Sequence, residues 1–170
     1  EKKANQNDLE LEEALLIDED NYENHGKSVT SPGLMHDKFC ILDDKRIITG
    51  SFNPTKGGLK HDNNILVIES VYLAHNYKNE FDELKARTKS QNTQKKTENT
   101  KILFNGYELE NYFCPEDECQ KNILEELDKA ETSIQFLTFT FTDKEISAKL
   151  IEKKKTGLNV SGIIEPYQSQ

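Results

Sequence analysis

Among the 170 residues, the side chains best placed to do chemistry fall in two short runs, Met35-His36-Asp37-Lys38 and Thr49-Gly50-Ser51-Phe52-Asn53. His36 and Lys38 are two apart, so in an extended chain they share a face. An imidazole beside an ammonium costs free energy unless both serve an anion. Ser51 and Asn53 are also two apart and bring a hydroxyl and an amide, both suitable donors to phosphate oxygens. Gly50 allows close backbone approach at that point. Together these groups are what a metal-free phosphodiester site requires: a nucleophile that can carry a phosphoryl group, a cation, and neutral donors for the equatorial oxygens. Either run alone is unremarkable. Together, at a fixed offset and with Asp43 between them, they are hard to ascribe to chance.

The elements needed to hold these residues are legible around them. Lys38-Phe39-Cys40-Ile41-Leu42 and Arg46-Ile47-Ile48-Thr49-Gly50 are apolar, β-branched runs, and Asp43-Asp44-Lys45 between them reads as a turn, so a hairpin is expected. In that hairpin His36 and Lys38 enter the first strand, and Ser51 and Asn53 leave the second. A polar loop over 53–63 leads to a third strand, 64–68. Ser70 then caps a helix over about 71–86, along which Leu73, Tyr77, Phe81 and Leu84 recur at helical spacing. Upstream, residues 8–17 fit a helix or a strand equally, and 21–33 read as a loop.

Residues 87–100 contain no apolar side chain and form the expected linker. Beyond it the pattern is strand, helix, strand, helix, strand: a short strand at 102–104, a helix over 116–131, and a strand over 133–141. A Thr142-Asp143-Lys144-Glu145 capping box opens a second helix that Gly157 stops, and a last strand covers 158–164. Strands joined by a helix of that length are expected to be parallel neighbours.

Composition sets the limits. Apolar residues make up 34% and charged residues 31%, enough for a modest core, and no apolar run reaches the length of a membrane helix. The start shows no export signal, although it could be trimmed, so the cytoplasm is only slightly favoured. The net charge of −9 is concentrated at one end, since residues 1–23 hold nine acids and two lysines. That argues against a strongly basic nucleic-acid clamp but not against an enzyme that handles nucleic acid locally. Cys114 and Cys119 lack the spacing and the second ligand pair of a zinc site. They are expected to be an ordinary thiol pair, or one local disulfide in an exported protein, and no metal is expected.

The pattern His36-x-Lys38-x4-Asp43-x6-Gly50-Ser51-x-Asn53 resembles the HKD motif of the phospholipase D superfamily, with every signature position occupied. Leu34-Met35 before it, Pro54-Thr55 after it, and the run Asn63-Asn64-Ile65-Leu66-Val67-Ile68 are similar to that family too. The resemblance implies an α/β fold, an α-β-α sandwich with a mixed sheet flanked by helices, and no cofactor. It implies His36 as nucleophile and Lys38 with Ser51 and Asn53 on the phosphoryl oxygens, while Asp43, the third residue of the motif, is mainly structural. A second HKD histidine is expected to protonate the leaving group. Where many members carry a Glu that orients the nucleophile, this chain has Asn63, with Asp62 beside it as the candidate replacement.

His25, His61 and His75 do not begin a second motif. The resemblance therefore describes an internal piece of a two-motif protein. Residues 1–86 would be the C-terminal half of a first domain, 87–100 a linker, and 101–170 the N-terminal half of a second; the alternative is one domain in permuted order. The missing half-site would come from the rest of a parent chain or from a homodimer partner. The expected substrate is a phosphodiester, nucleic acid before phospholipid, with Lys56, Lys60 and His61 available to a phosphate backbone. Cardiolipin or other phospholipid hydrolysis, and a catalytically incomplete phosphate-binding module, are the alternatives.

Overall fold

The structure, a computed structural model, describes residues 35–87 and 94–165. The expectations for 8–17, for 21–33 and for residues 88–93 of the linker lie outside the described residues. The chain divides into two compact units between Asn111 and Tyr112, and the organisation is α/β, as expected.

The first unit begins with the anticipated hairpin, β1 (Phe39–Leu42) and β2 (Arg46–Gly50), with β3 (Ile65–Glu69) antiparallel to β2 on its other side. Asp43 and Asp44 both take positive φ, 52° and 51°, and the Lys45 amide donates to the Leu42 carbonyl at 3.1 Å. Short polar side chains tolerate that left-handed geometry better than other non-glycine residues, which is why this acidic pair can turn the chain. Ser70 then starts α1 (Val71–Arg87), its Oγ accepting from the Leu73 amide at 3.3 Å.

Register places Ile41, Ile47 and Ile68 in one cross-strand row. That row packs with Leu73, Ala74 and Tyr77 of α1, and Ile47 is fully buried. One row further along, the Phe39 ring meets Tyr77 edge-on, with ring centres 4.9 Å apart. Every second residue of these strands thus faces α1, as the pleat requires.

The same core takes in a second hairpin, β4 (Lys101–Phe104) and β5 (Tyr107–Glu110), through Ile102 and Leu109, which are directly paired. The sequence reading assigns 101–110 to the second half and recognises only its first strand. Asn105 and Gly106, both at positive φ, fold the segment back on itself, which sets Ile102 beside Leu109 as an apolar pair. Asn76, buried on α1, secures the hairpin's base by donating to the Asn99 carbonyl at 2.8 Å and to Asn111 Oδ1 at 3.1 Å.

The second unit holds α2 (Cys119–Lys129), β6 (Ser133–Thr138), α3 (Lys144–Lys155) and β7 (Asn159–Ile164). The α2 helix starts three residues later than the spacing predicts. Buried Asp117 accepts from the Phe113 amide at 2.8 Å, Glu118 sits at positive φ, and a Cys114–Cys119 disulfide closes the turn. β6 and β7 are parallel through six paired positions, the expected strand-helix-strand crossover. Ile134, Leu150 and Val160 form the core, with Leu127, Phe136 and Ile146 against it.

Two boundaries differ from the sequence reading. β6 ends at Thr138 and not at Phe141, because its partner β7 runs out at the Thr138–Ile164 pair. The cap of α3 is Asp143 and not Thr142: its Oδ1 accepts from the amides of Glu145 at 3.0 Å and Ile146 at 2.9 Å. Gly157, at φ 101°, follows the end of α3 as anticipated.

Candidate active site

Three strand ends converge at one edge of the first unit. The Phe39–Thr49 and Gly50–Ile65 pairings put the start of β1, the end of β2 and the start of β3 side by side. His36 and Lys38 lead into β1, Ser51 and Asn53 follow β2, and Asp62 and Asn63 precede β3. Asp43 stands at the other end of the hairpin, roughly 20 Å of extended chain from His36. The structure thus brings together every candidate except Asp43, which stands in the β1–β2 turn.

His36 and Lys38 precede the strand and do not enter it. The Lys38 ammonium folds back onto the carbonyl of His36 at 2.7 Å, and the Lys38 carbonyl is taken by the Thr49 hydroxyl at 3.1 Å. That side-chain bond stands where a further rung of the ladder would continue β1. The His36 side chain is exposed and makes no hydrogen bond among the described residues. Lys38, half-buried, keeps two of its three N–H donors for another acceptor.

Gly50 is constrained on two counts. Its φ is 151°, and a Cβ there would lie 2.1 Å from the carbonyl oxygen of Asn64. This contact lets the Ser51 amide reach that carbonyl at 3.1 Å and locks the turn out of β2 onto the start of β3. The Ser51 hydroxyl donates to Asn63 Oδ1 at 3.0 Å and accepts from the Asn64 amide at 3.1 Å. Asn63 in turn donates through Nδ2 to the carbonyls of Gly58 at 3.2 Å and His61 at 3.1 Å. The expected role of Asn63, fixing the His36 ring, is thus not what its amide does here: all of its bonds go to Ser51 and to the following loop. Asp62 is exposed, and Asn53 is exposed with no side-chain hydrogen bond among the described residues.

Several supporting residues escape a reading by motif. Thr55 Oγ1 accepts from the Gly58 amide at 2.9 Å, and buried Gly58 comes so close to Asn53 that a Cβ would sit 2.2 Å from the Asn53 carbonyl oxygen. The adjacent Gly57-Gly58 pair was the available signal. Tyr77 lies under the start of β1. Burial pushes its phenol upward in pKa, a hydrogen bond with Thr49 pulls it down, and the charge of Asp37 raises it further. At the far end of the sheet, Arg46 and Glu69 pair at 2.6 Å, which raises the guanidinium and lowers the carboxyl.

The edge thus offers an exposed imidazole, a cation with unused donors, and a free amide, beside a rigid hydrogen-bonded loop. Residues 3–85 match the family model described as cardiolipin synthase, PLD-like domain. A phospholipase D of Rickettsia bellii is 44% identical over 57 residues, covering 33% of this chain and 28% of that protein. A phospholipase D of Rickettsia typhi is 45% identical over 49 residues, 28% of this chain and 24% of the relative. Residues 3–85 are those of a phospholipase D superfamily member. The chain spans about a quarter of the length of the curated phospholipases D it matches. No solved structure matches it. Among the described residues of this phospholipase D-like chain, no group of three or more His, Cys, Asp or Glu side chains is placed to hold a metal. No described helix is long and apolar enough to cross a membrane.

Proposed function

We propose that the chain carries the nucleophile of a phosphodiester hydrolase, and that the nucleophile is His36. The observation that supports this most directly is the convergence of His36, Lys38 and Asn53 on one strand-end edge, with Ser51 and Asn63 bracing it. In this reading an imidazole nitrogen of His36 attacks phosphorus and the bond from phosphorus to the leaving oxygen breaks. The leaving oxygen takes a proton from a second histidine, supplied by the rest of a parent chain or by a second copy. Water then attacks the phosphohistidine, gives its proton to that second histidine, and frees His36. Lys38 and Asn53 hold the non-bridging oxygens, and the charge of Lys38 takes the part a metal plays elsewhere.

On the same reading residues 1–86 close a first phospholipase D-like domain, and the chain beyond the 87–100 linker opens a second. The β4–β5 hairpin, which that reading counts with the second, packs in the first compact unit. A nucleic acid is the leading substrate, because Lys56, Lys60 and His61 lie exposed on the loop that leaves Asn53. Phospholipid is the second reading, favoured by the names of the rickettsial relatives and of the matching family.

Incubating the intact parent protein with single-stranded DNA and with cardiolipin vesicles, both in EDTA, tests the reading. Cleavage of one substrate, lost in His36→Ala, is expected. Cleavage that EDTA abolishes contradicts the metal-free route, and equal cleavage by His36→Ala removes His36 as nucleophile.

A further inference from the structure

The ladder between β1 and β2 stops at the Phe39–Thr49 pair, so His36, Asp37 and Lys38 lead into β1 on chain that no rung holds. Past that point β2 pairs on its β3 side alone: Gly50 with Ile65, and the Ser51 amide with the Asn64 carbonyl. A side chain holds the lead instead. Thr49 donates its hydroxyl hydrogen to the Lys38 carbonyl at 3.1 Å. The Lys38 ammonium in turn grips the His36 carbonyl at 2.7 Å. Thr49, Lys38 and His36 are thus linked in series.

Thr49 is itself fixed from α1. Its one hydrogen goes to Lys38, so in the hydrogen bond it shares with Tyr77 the phenol is the donor. The Tyr77 ring also meets Phe39 edge-on, with 4.9 Å between centres, and packs against the core around Ile47 and Leu73. Tyr77 therefore reaches the start of β1 from the helix by both its ring and its hydroxyl. We infer that Thr49, aligned by Tyr77, is the positioning residue that sets where Lys38 and His36 stand at the strand-end edge. Its effect on turnover rests on the reading of His36 as nucleophile; the anchor itself is observable without substrate. Valine has nearly the shape of threonine and lacks the hydroxyl, so Thr49→Val isolates the bond.

Backbone amide NMR relaxation on the full chain reads the anchor. In Thr49→Val the order parameters of His36, Asp37 and Lys38 are expected to fall from about 0.85 to below about 0.6, with β2, β3 and α1 unchanged. Thr49→Ser keeps the hydroxyl and is expected to restore them. Tyr77→Phe keeps the ring on Phe39 and is expected to show a smaller fall at the same three residues. Unchanged values in Thr49→Val, or a fall spread over the whole sheet in both Thr49→Val and Tyr77→Phe, overturn the inference. Turnover of bis(para-nitrophenyl) phosphate by the intact parent protein reads the consequence. There kcat is expected to fall about ten- to hundredfold in Thr49→Val, to return in Thr49→Ser, and to fall no further when Tyr77→Phe is added to Thr49→Val. His36-dependent turnover that Thr49→Val leaves intact overturns the inference and spares the reading of His36. Turnover that His36→Ala retains removes that reading, and the order parameters then decide the anchor alone.

Discussion

Ser51 gives its only hydroxyl hydrogen to Asn63 and accepts from the Asn64 amide, so it has no hydrogen left to offer a phosphoryl oxygen. Lys38 and Asn53 do. Asn53→Ala is therefore expected to lower kcat on a generic phosphodiester by about a hundredfold, the usual loss of one preorganised donor. Ser51→Ala acts through Asn63 and the loop and is expected to cost less, and steady-state rates of the two variants decide the order. Gly50 has a purely steric prediction. Gly50→Ala forces a Cβ against the Asn64 carbonyl and is expected to destabilise the first unit by about 3 kcal/mol in urea unfolding. The motif pattern was legible at this scale because HKD spacing is sequence spacing. The Ser51–Asn63 pairing was not, because it joins residues twelve apart across a loop whose course only the fold decides.

Asp143 sets the start of α3 through two backbone N–H groups. Those bonds, the Ile146 amide first, with that from the Gln120 side chain, hold its carboxyl below the usual aspartate range. A lowered folded value means the cap's contribution is complete above the ordinary aspartate range and is lost as pH falls through the depressed value. Thermal melts of the second unit should show that acid-side loss. Asp143→Asn keeps an acceptor and is expected to flatten it, whereas Asp143→Ala lowers the melting temperature at neutral pH. Gly162 faces the Phe136 ring, whose atoms lie 2.2–2.4 Å from where a Cβ would be. Gly162→Val is accordingly expected to cost about 1–3 kcal/mol. The β1–β2 hairpin, Ser70 and the parallel β6–β7 pair follow from local patterns and were readable. The β4–β5 hairpin had its Asn105-Gly106 signal, but where it packs depends on a long-range choice of core. The helix starts shifted because Asp117, the disulfide and Asp143 decide them side chain by side chain.

Two cores that share no residue carry the chain, one around Ile47, Leu73, Ala74 and Ile102, the other around Ile134, Leu150 and Val160. Ile47→Ala is expected to cost about 2–5 kcal/mol. The loss should appear in amide exchange as faster exchange across β1–β3 and α1, with β6 and β7 unchanged; uniform loss would contradict the division at Asn111 and Tyr112. The family match covers residues 3–85, and the nucleophile of the proposed chemistry, His36, lies within that stretch. Its most direct test is rapid acid-free quenching of the intact parent protein during turnover of a phosphodiester in EDTA, followed by mass spectrometry of the peptide containing His36. The expected result is a phosphoryl adduct on His36 that is stable in alkali, labile in acid and absent from His36→Ala. Turnover without any adduct on that peptide, at a rate that His36→Ala retains, would contradict it.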